Sequence, residues 1–122
     1  MKQILIIEDD ELGARLISRV LSTQDYECRE ARSSADGLDF LGAGSPDLII
    51  LDYLLPDMNG PAFYKQARSR GFSGPVLFLT ALDARDAQVE QLKLDVGEEA
   101  VLLKPFEPDE LERRVGGLLK RA

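Results

Sequence analysis

Four short aliphatic runs punctuate the chain, and each stops on a polar residue. The run 4–7 ends on Glu8, Asp9 and Asp10, and the run 48–51 on Asp52. The run 76–79 ends on Thr80, and the run 101–103 on Lys104 and Pro105. Uninterrupted apolar runs of this length read as strands buried on both faces, as in a parallel sheet. The pattern predicts strands over residues 3–7, 47–51, 76–79 and 100–103. It predicts a further strand over 26–31, whose mixed polar and apolar residues suit an edge with one wet face. Helical spacing fills the gaps. A first helix over 10–22 puts Leu12, Leu16, Ile17, Val20 and Leu21 on one stripe. Ser33 or Ser34 caps a second helix running to about residue 41, where Gly42 and Gly44 stop it. A loop with Pro56, Asp57, Asn59 and Gly60 leads into a third helix opened by Pro61, which carries Phe63, Tyr64 and Ala67 and ends near Gly71. A fourth helix spans 84–94, before Gly97. Pro108 opens the last, with Leu111, Val115, Leu118 and Leu119 facing inward. Strict alternation of five strands and five helices predicts an α/β fold, a parallel sheet between two helical layers.

Composition narrows the function. With 122 residues, 44% hydrophobic and 30% charged, the chain has the make-up of one folded domain over residues 1–122, with no linker or repeat. Acidic residues outnumber basic ones 22 to 15, for a net charge of −7, which disfavours nucleic-acid binding by this domain. No apolar run is long enough to span a bilayer, nor is there room at the N-terminus for a signal peptide. The lone Cys28 forms no internal disulfide and suits a reducing compartment, so a cytoplasmic location is expected. There is no histidine, which excludes Ser-His-Asp and Cys-His catalysis and any His-ligated metal. Carboxylate-bound Mg²⁺ stays open.

In an open α/β sheet, ligands bind beyond the carboxyl ends of the strands. Four strand ends here deliver several carboxylates, a hydroxyl and an ammonium. Clustered carboxylates stay ionised together only with a cation among them. The expectation is a divalent-metal site with one reactive aspartate.

The motifs Ile6-Ile7-Glu8-Asp9-Asp10, Leu51-Asp52-Tyr53-Leu54-Leu55-Pro56-Asp57-Met58-Asn59-Gly60, Leu79-Thr80-Ala81 and Lys104-Pro105-Phe106 stand in this order, each at a predicted strand end. Together they resemble the receiver domain of two-component response regulators, along the whole chain. The resemblance implies a flavodoxin-like (βα)5 three-layer sandwich with strand order 2-1-3-4-5. It implies that Asp52 is phosphorylated by a histidine kinase or phosphotransfer protein, and that Mg²⁺ is held by Glu8, Asp9, Asp52 and the backbone carbonyl of Leu54. Asp9 would bind the cation directly and Glu8 through water. Asp10 would cap the first helix; were the register shifted by one, Asp10 would take the role of Asp9. The Thr80 hydroxyl and the Lys104 ammonium would meet the phosphoryl group, with the bond from Lys104 to Pro105 cis. The product would be a signalling switch rather than an enzyme, acting on a downstream effector domain or protein, with homodimerisation on phosphorylation compatible with it.

Two departures stand out. Receivers usually carry Tyr or Phe three residues before this lysine, as a rotating aromatic that reports phosphorylation; here it is Val101, stiff at χ1 and without a ring. Gly116 and Gly117 sit inside the last helix, where close packing, fraying or a yielding partner surface would each explain them. In receivers that dephosphorylate quickly, polar residues two past the Asp and two past the Thr place the attacking water; Leu54 and Leu82 hold those positions. The competing reading is a binding module of the same fold that works without phosphorylation. Enzyme readings fare worse. A flavodoxin-type redox protein needs a phosphate loop where Glu8, Asp9 and Asp10 stand, and a haloacid-type phosphatase needs an Asp where Leu54 stands.

Overall fold

The computed structural model describes residues 1–121, so Ala122 lies outside the described residues. Strand β1 (Lys2–Ile7) leads to α1 (Glu11–Ser22), β2 (Tyr26–Ala31), α2 (Ser34–Ala43), β3 (Leu48–Asp52), α3 (Gly60–Ser69), β4 (Val76–Thr80), α4 (Ala87–Val96), β5 (Val101–Leu103) and α5 (Pro108–Arg121). The five strands form one parallel sheet in the order β2-β1-β3-β4-β5, the flavodoxin-like order. Side chains that alternate along each strand feed two cores. On one face, Leu5, Ile7, Ile49, Leu51 and Phe78 pack with Phe63, Ala67, Val89 and Leu92. On the other, Ile4, Ile6, Ile50, Leu77 and Leu79 pack with Ala14, Ile17, Leu21, Leu111 and Val115. Burial on both faces is what the aliphatic runs require. The exception is β2, where alternating exposure marks the edge.

Caps set the helix limits. The Asp10 carboxylate accepts from Gly13 N–H, Ser33 Oγ from Asp36 N–H, Asn59 Oδ1 from Ala62 N–H and Asp86 from Gln88 N–H. These contacts supply the acceptors that helix N-termini lack.

Three expectations are corrected. The first helix does not bury one leucine stripe: Leu12 is 76% exposed and Leu16 59%, while Ala14, Ile17 and Leu21 face the sheet. Ala14, Ile17 and Leu21 recur at spacings of three and four and form the buried stripe, which leaves Leu12 and Leu16 on its flank. The fourth helix begins at Ala87 rather than 84, because Asp83 first accepts the Arg85 N–H in a turn of its own and Asp86 then caps. The second helix runs through Gly42 and stops at Gly44. Among the described residues no helix is long and apolar enough to cross a membrane.

Candidate functional site

The register brings the site together. Ile7 pairs with Leu51, so the residues that follow, Glu8 and Asp52, emerge side by side at the carboxyl edge of the sheet. One strand further, Asp52 pairs with Leu79, ahead of Thr80, and Thr80 pairs with Leu103, ahead of Lys104. Carboxylate oxygens of Glu8, Asp9 and Asp52 lie within 4.8 Å of one another. Lys104 Nζ stands 2.7 Å from Glu8 Oε1 and 3.5 Å from Asp52 Oδ2, and its bond to Pro105 is cis. The Lys104 N–H donates to the Thr80 carbonyl at 2.8 Å, which locks the base of that turn to β4.

Burial grades the three carboxylates. Glu8 is buried, Asp52 half-buried and Asp9 exposed. Burial, with help from the neighbouring Asp52, pushes the Glu8 carboxyl up to about 7 against the opposing pull of Lys104. Burial alone would lower the Lys104 ammonium, but Glu8 and Asp52 overcome it and hold its pKa above the usual value. Glu8 Oε2 is buried with no hydrogen-bond partner among the described residues. An orphaned buried oxygen beside two further carboxylates is a donor set suited to a hard cation and its water. The residues therefore fit Mg²⁺.

Thr80 is buried at the end of β4, and its Oγ1 accepts the Leu82 N–H at 3.1 Å. Its hydroxyl proton is left for another acceptor. Leu54 forms an isolated antiparallel bridge with Asn59, and its side chain is 61% exposed. Asp10 turns away to cap α1. Val101 is buried, and its carbonyl accepts from Arg114 Nη1 at 2.7 Å. The same guanidinium reaches the carbonyls of Glu98 and Glu99, which form a 3-10 turn ahead of β5, and a Glu110 carboxylate oxygen.

Pattern reading missed two supports of the site. A Cβ on Gly13 would stand 3.2 Å from Glu8 Oε1 and 3.1 Å from Asp10 Oδ2, so the glycine makes room for both carboxylates. Gly60 passes so close to β3 that a Cβ would lie 3.0 Å from the Asp52 carbonyl oxygen. Glycine in a first helical turn and glycine after Asn are common enough that neither signals this role in sequence.

With this geometry in place, the comparisons are specific. The response regulator receiver domain family matches residues 4–116. The chain belongs to that family. As a receiver domain of a two-component response regulator, it is 39% identical over 122 residues to the transcriptional regulatory protein PcoR of Escherichia coli, covering all of this chain and 53% of that one. It is 35% identical over 119 residues to protein RcaC of Microchaete diplosiphon, covering 98% of this chain and 18% of the other. The receiver thus spans about half of the one relative and a smaller part of the other. The receiver domain of the Francisella response regulator 1452 superposes with a TM-score of 0.85 at 30% identity, covering 99% of this chain and 98% of that one. Chemotaxis protein CheY4 of Vibrio cholerae gives 0.86 at 27% identity, over 97% and 98%.

Proposed function

We propose that this receiver is a phosphorylation-activated switch that takes a phosphoryl group from a histidine kinase or phosphotransfer protein onto Asp52. The observation that carries the reading is the convergence of Glu8, Asp9, Asp52 and Lys104, with an orphaned Glu8 oxygen at its centre. An Asp52 carboxylate oxygen attacks phosphorus, the phosphorus–nitrogen bond of the donor breaks, and the donor imidazole keeps the electron pair. Glu8, Asp9, Asp52 and the Leu54 carbonyl would hold Mg²⁺, which would supply the charge neutralisation that a phosphoryl group needs to approach three carboxylates. Lys104 then exchanges its carboxylate partners for a phosphoryl oxygen, which it meets as a point charge. Thr80 donates its free hydroxyl proton to another. The working product is the phosphorylated protein itself, a signalling state.

The donor has to enter over the carboxyl edge of the sheet. Leu16 lines a cleft there with Glu8, Ala81, Lys104 and Phe106, and exposed Leu12 precedes it by one helical turn. An apolar rim beside a charged centre suits a protein donor. The output partner is an effector domain or protein, and the reducing cytoplasm, which the lone Cys28 suits, is the compartment that goes with this reading.

The test is to incubate purified protein with acetyl phosphate and Mg²⁺ and weigh it. Wild type should gain one phosphoryl group, Mg²⁺ removal should prevent the gain, and Asp52→Asn should stay folded and unlabelled. Full labelling of Asp52→Asn would overturn the assignment, and an unlabelled wild type would favour a phosphorylation-independent binding module.

A further inference from the structure

The four N–H groups that open α2 are all satisfied, and two of them are satisfied from far away. Asp36 N–H donates to Ser33 Oγ and Gly37 N–H to the Ser33 carbonyl, the ordinary local cap. Ser34 N–H donates instead to Asp57 Oδ1 and Ala35 N–H to Asp57 Oδ2, at 3.2 Å each. Asp57 belongs to the loop between β3 and α3. An aspartate in such a turn ordinarily folds back on its own backbone. Here the carboxylate reaches out and lies across the positive end of a helix two elements earlier, where anions are favoured.

That loop carries Leu54. Its base is closed by the Gly60 N–H on the Tyr53 carbonyl at 2.6 Å and by the bridge from Leu54 to Asn59. Asn59 is fixed in turn as the cap of α3. A loop clamped only at its base can still tilt about that base. Asp57 adds an attachment at the tip. The mooring point itself cannot give: Ser34 is fully buried, and a Cβ on Gly37 would stand 2.7 Å from Ile7 Cδ1, so α2 lies tight against β1.

We infer that Asp57 is a positioning residue for the metal: by mooring the β3–α3 loop to the N-terminus of α2, it holds the Leu54 carbonyl where Mg²⁺ needs it. The inference rests on the metal site proposed above. Mg²⁺ demands near-ideal octahedral geometry, so a carbonyl on a tilting loop is a poor ligand and one on a moored loop a good one. The Asp57 carboxyl is held below the usual carboxylate range, first by the nearby Ser34 hydroxyl and then by the two N–H groups, so the mooring charge persists wherever the other carboxylates are ionised. The hydroxyl has no hydrogen bond of normal geometry among the described residues, and the two N–H contacts are what the mooring stands on.

The test pairs two ways of uncapping α2. Ser33→Ala removes the local cap and leaves the loop attached; Asp57→Ala removes the mooring and leaves the local cap. Mg²⁺ titrations followed by amide NMR, together with thermal melts, are run on each and on wild type. Ser33→Ala should lower the melting temperature and leave the Mg²⁺ Kd unchanged. Asp57→Ala should weaken Mg²⁺ about tenfold, the scale at which outer supports of metal ligands act. It should also speed amide exchange over residues 54–58 in the metal-free protein. Asp57→Asn, which keeps an acceptor but not the charge, should fall between, and it decides the matter if Asp57→Ala does not fold. An unchanged Kd in the Asp57 variants, or an equal loss in Ser33→Ala, would overturn the mooring role alone. A wild type that does not saturate with Mg²⁺ would overturn the metal site and the mooring role with it.

Discussion

Glu8 is the residue whose chemistry departs furthest from its type. Burial, with the neighbouring Asp52, pushes its carboxyl from the ordinary 4.5 up to about 7. A carboxyl raised in the folded state binds a proton that the unfolded chain releases, so its effect on stability falls as pH rises from 4.5 to about 7 and is constant above that. Asp57, whose pKa is depressed, acts in the opposite sense and only at more acid pH. Lys104, whose pKa is raised, keeps its contribution until well into the alkaline range. Metal-free protein should therefore be less stable in denaturant melts at neutral pH than at mildly acid pH. Glu8→Gln, which imitates the protonated form, should flatten that difference; a difference that persists in Glu8→Gln would place its source elsewhere. Glu8 and Lys104 were legible in sequence as candidates because each ends an apolar run. Asp57 was not legible as more than a turn residue, because its partners Ser34 and Ala35 are joined to it only by the fold.

Among the elements, strands were easier to read than helix faces. An unbroken aliphatic run fixes a buried strand whatever its neighbours do. A helix with leucines on several sides does not say which of them meets the sheet, and on α1 the sheet takes Ala14, Ile17 and Leu21 while Leu12 and Leu16 are left to solvent. The β3–α3 and β4–α4 loops carry the next consequence. Exposed Leu54 and half-buried Leu82, which packs partly into the core, stand two residues past Asp52 and two past Thr80 and carry no group to orient water. Phospho-Asp52 should accordingly be long-lived. Leu54→Asn combined with Leu82→Glu should hasten loss of the phosphoryl group at fixed Mg²⁺, as followed by mass or phosphate release, and an unchanged decay would dismiss the water-placement account. The β4–α4 loop is also the expected output route. Val101 has no ring to swing, and its carbonyl is clasped by Arg114, which ties β5 to α5. Thr80 by contrast holds the Leu82 N–H, so a turn of its hydroxyl toward a phosphoryl group would pull directly on the segment leading to α4. Beryllofluoride, as a phosphoryl mimic, should shift amide signals of residues 81–87 more than those around Val101. Larger shifts along β5 would mean that the valine itself is the moving part.

At the scale of the molecule, two cores back a single charged edge, and the last helix closes one of them. Leu111 and Val115 are fully buried in that helix, while the turn after them carries Gly116 and Gly117, whose missing Cβ atoms would meet nothing within 4 Å. Close packing thus does not account for the pair. The helix packs on the sheet through Leu111 and Val115, with Leu118 and Leu119 partly buried against the same core as expected, and it carries two of the weakest helix formers between these two pairs. Its far turns should open and close on their own, well below the energy of global unfolding, and exchange their amide hydrogens early. Gly116→Ala and Gly117→Ala should each add roughly 1 kcal/mol of stability and slow that exchange, while leaving labelling of Asp52 untouched. A loss of stability in either variant would reveal a neighbour that fills the space. Slowed exchange with impaired signalling would mean that the receiver's restless end is part of how it reaches whatever it controls.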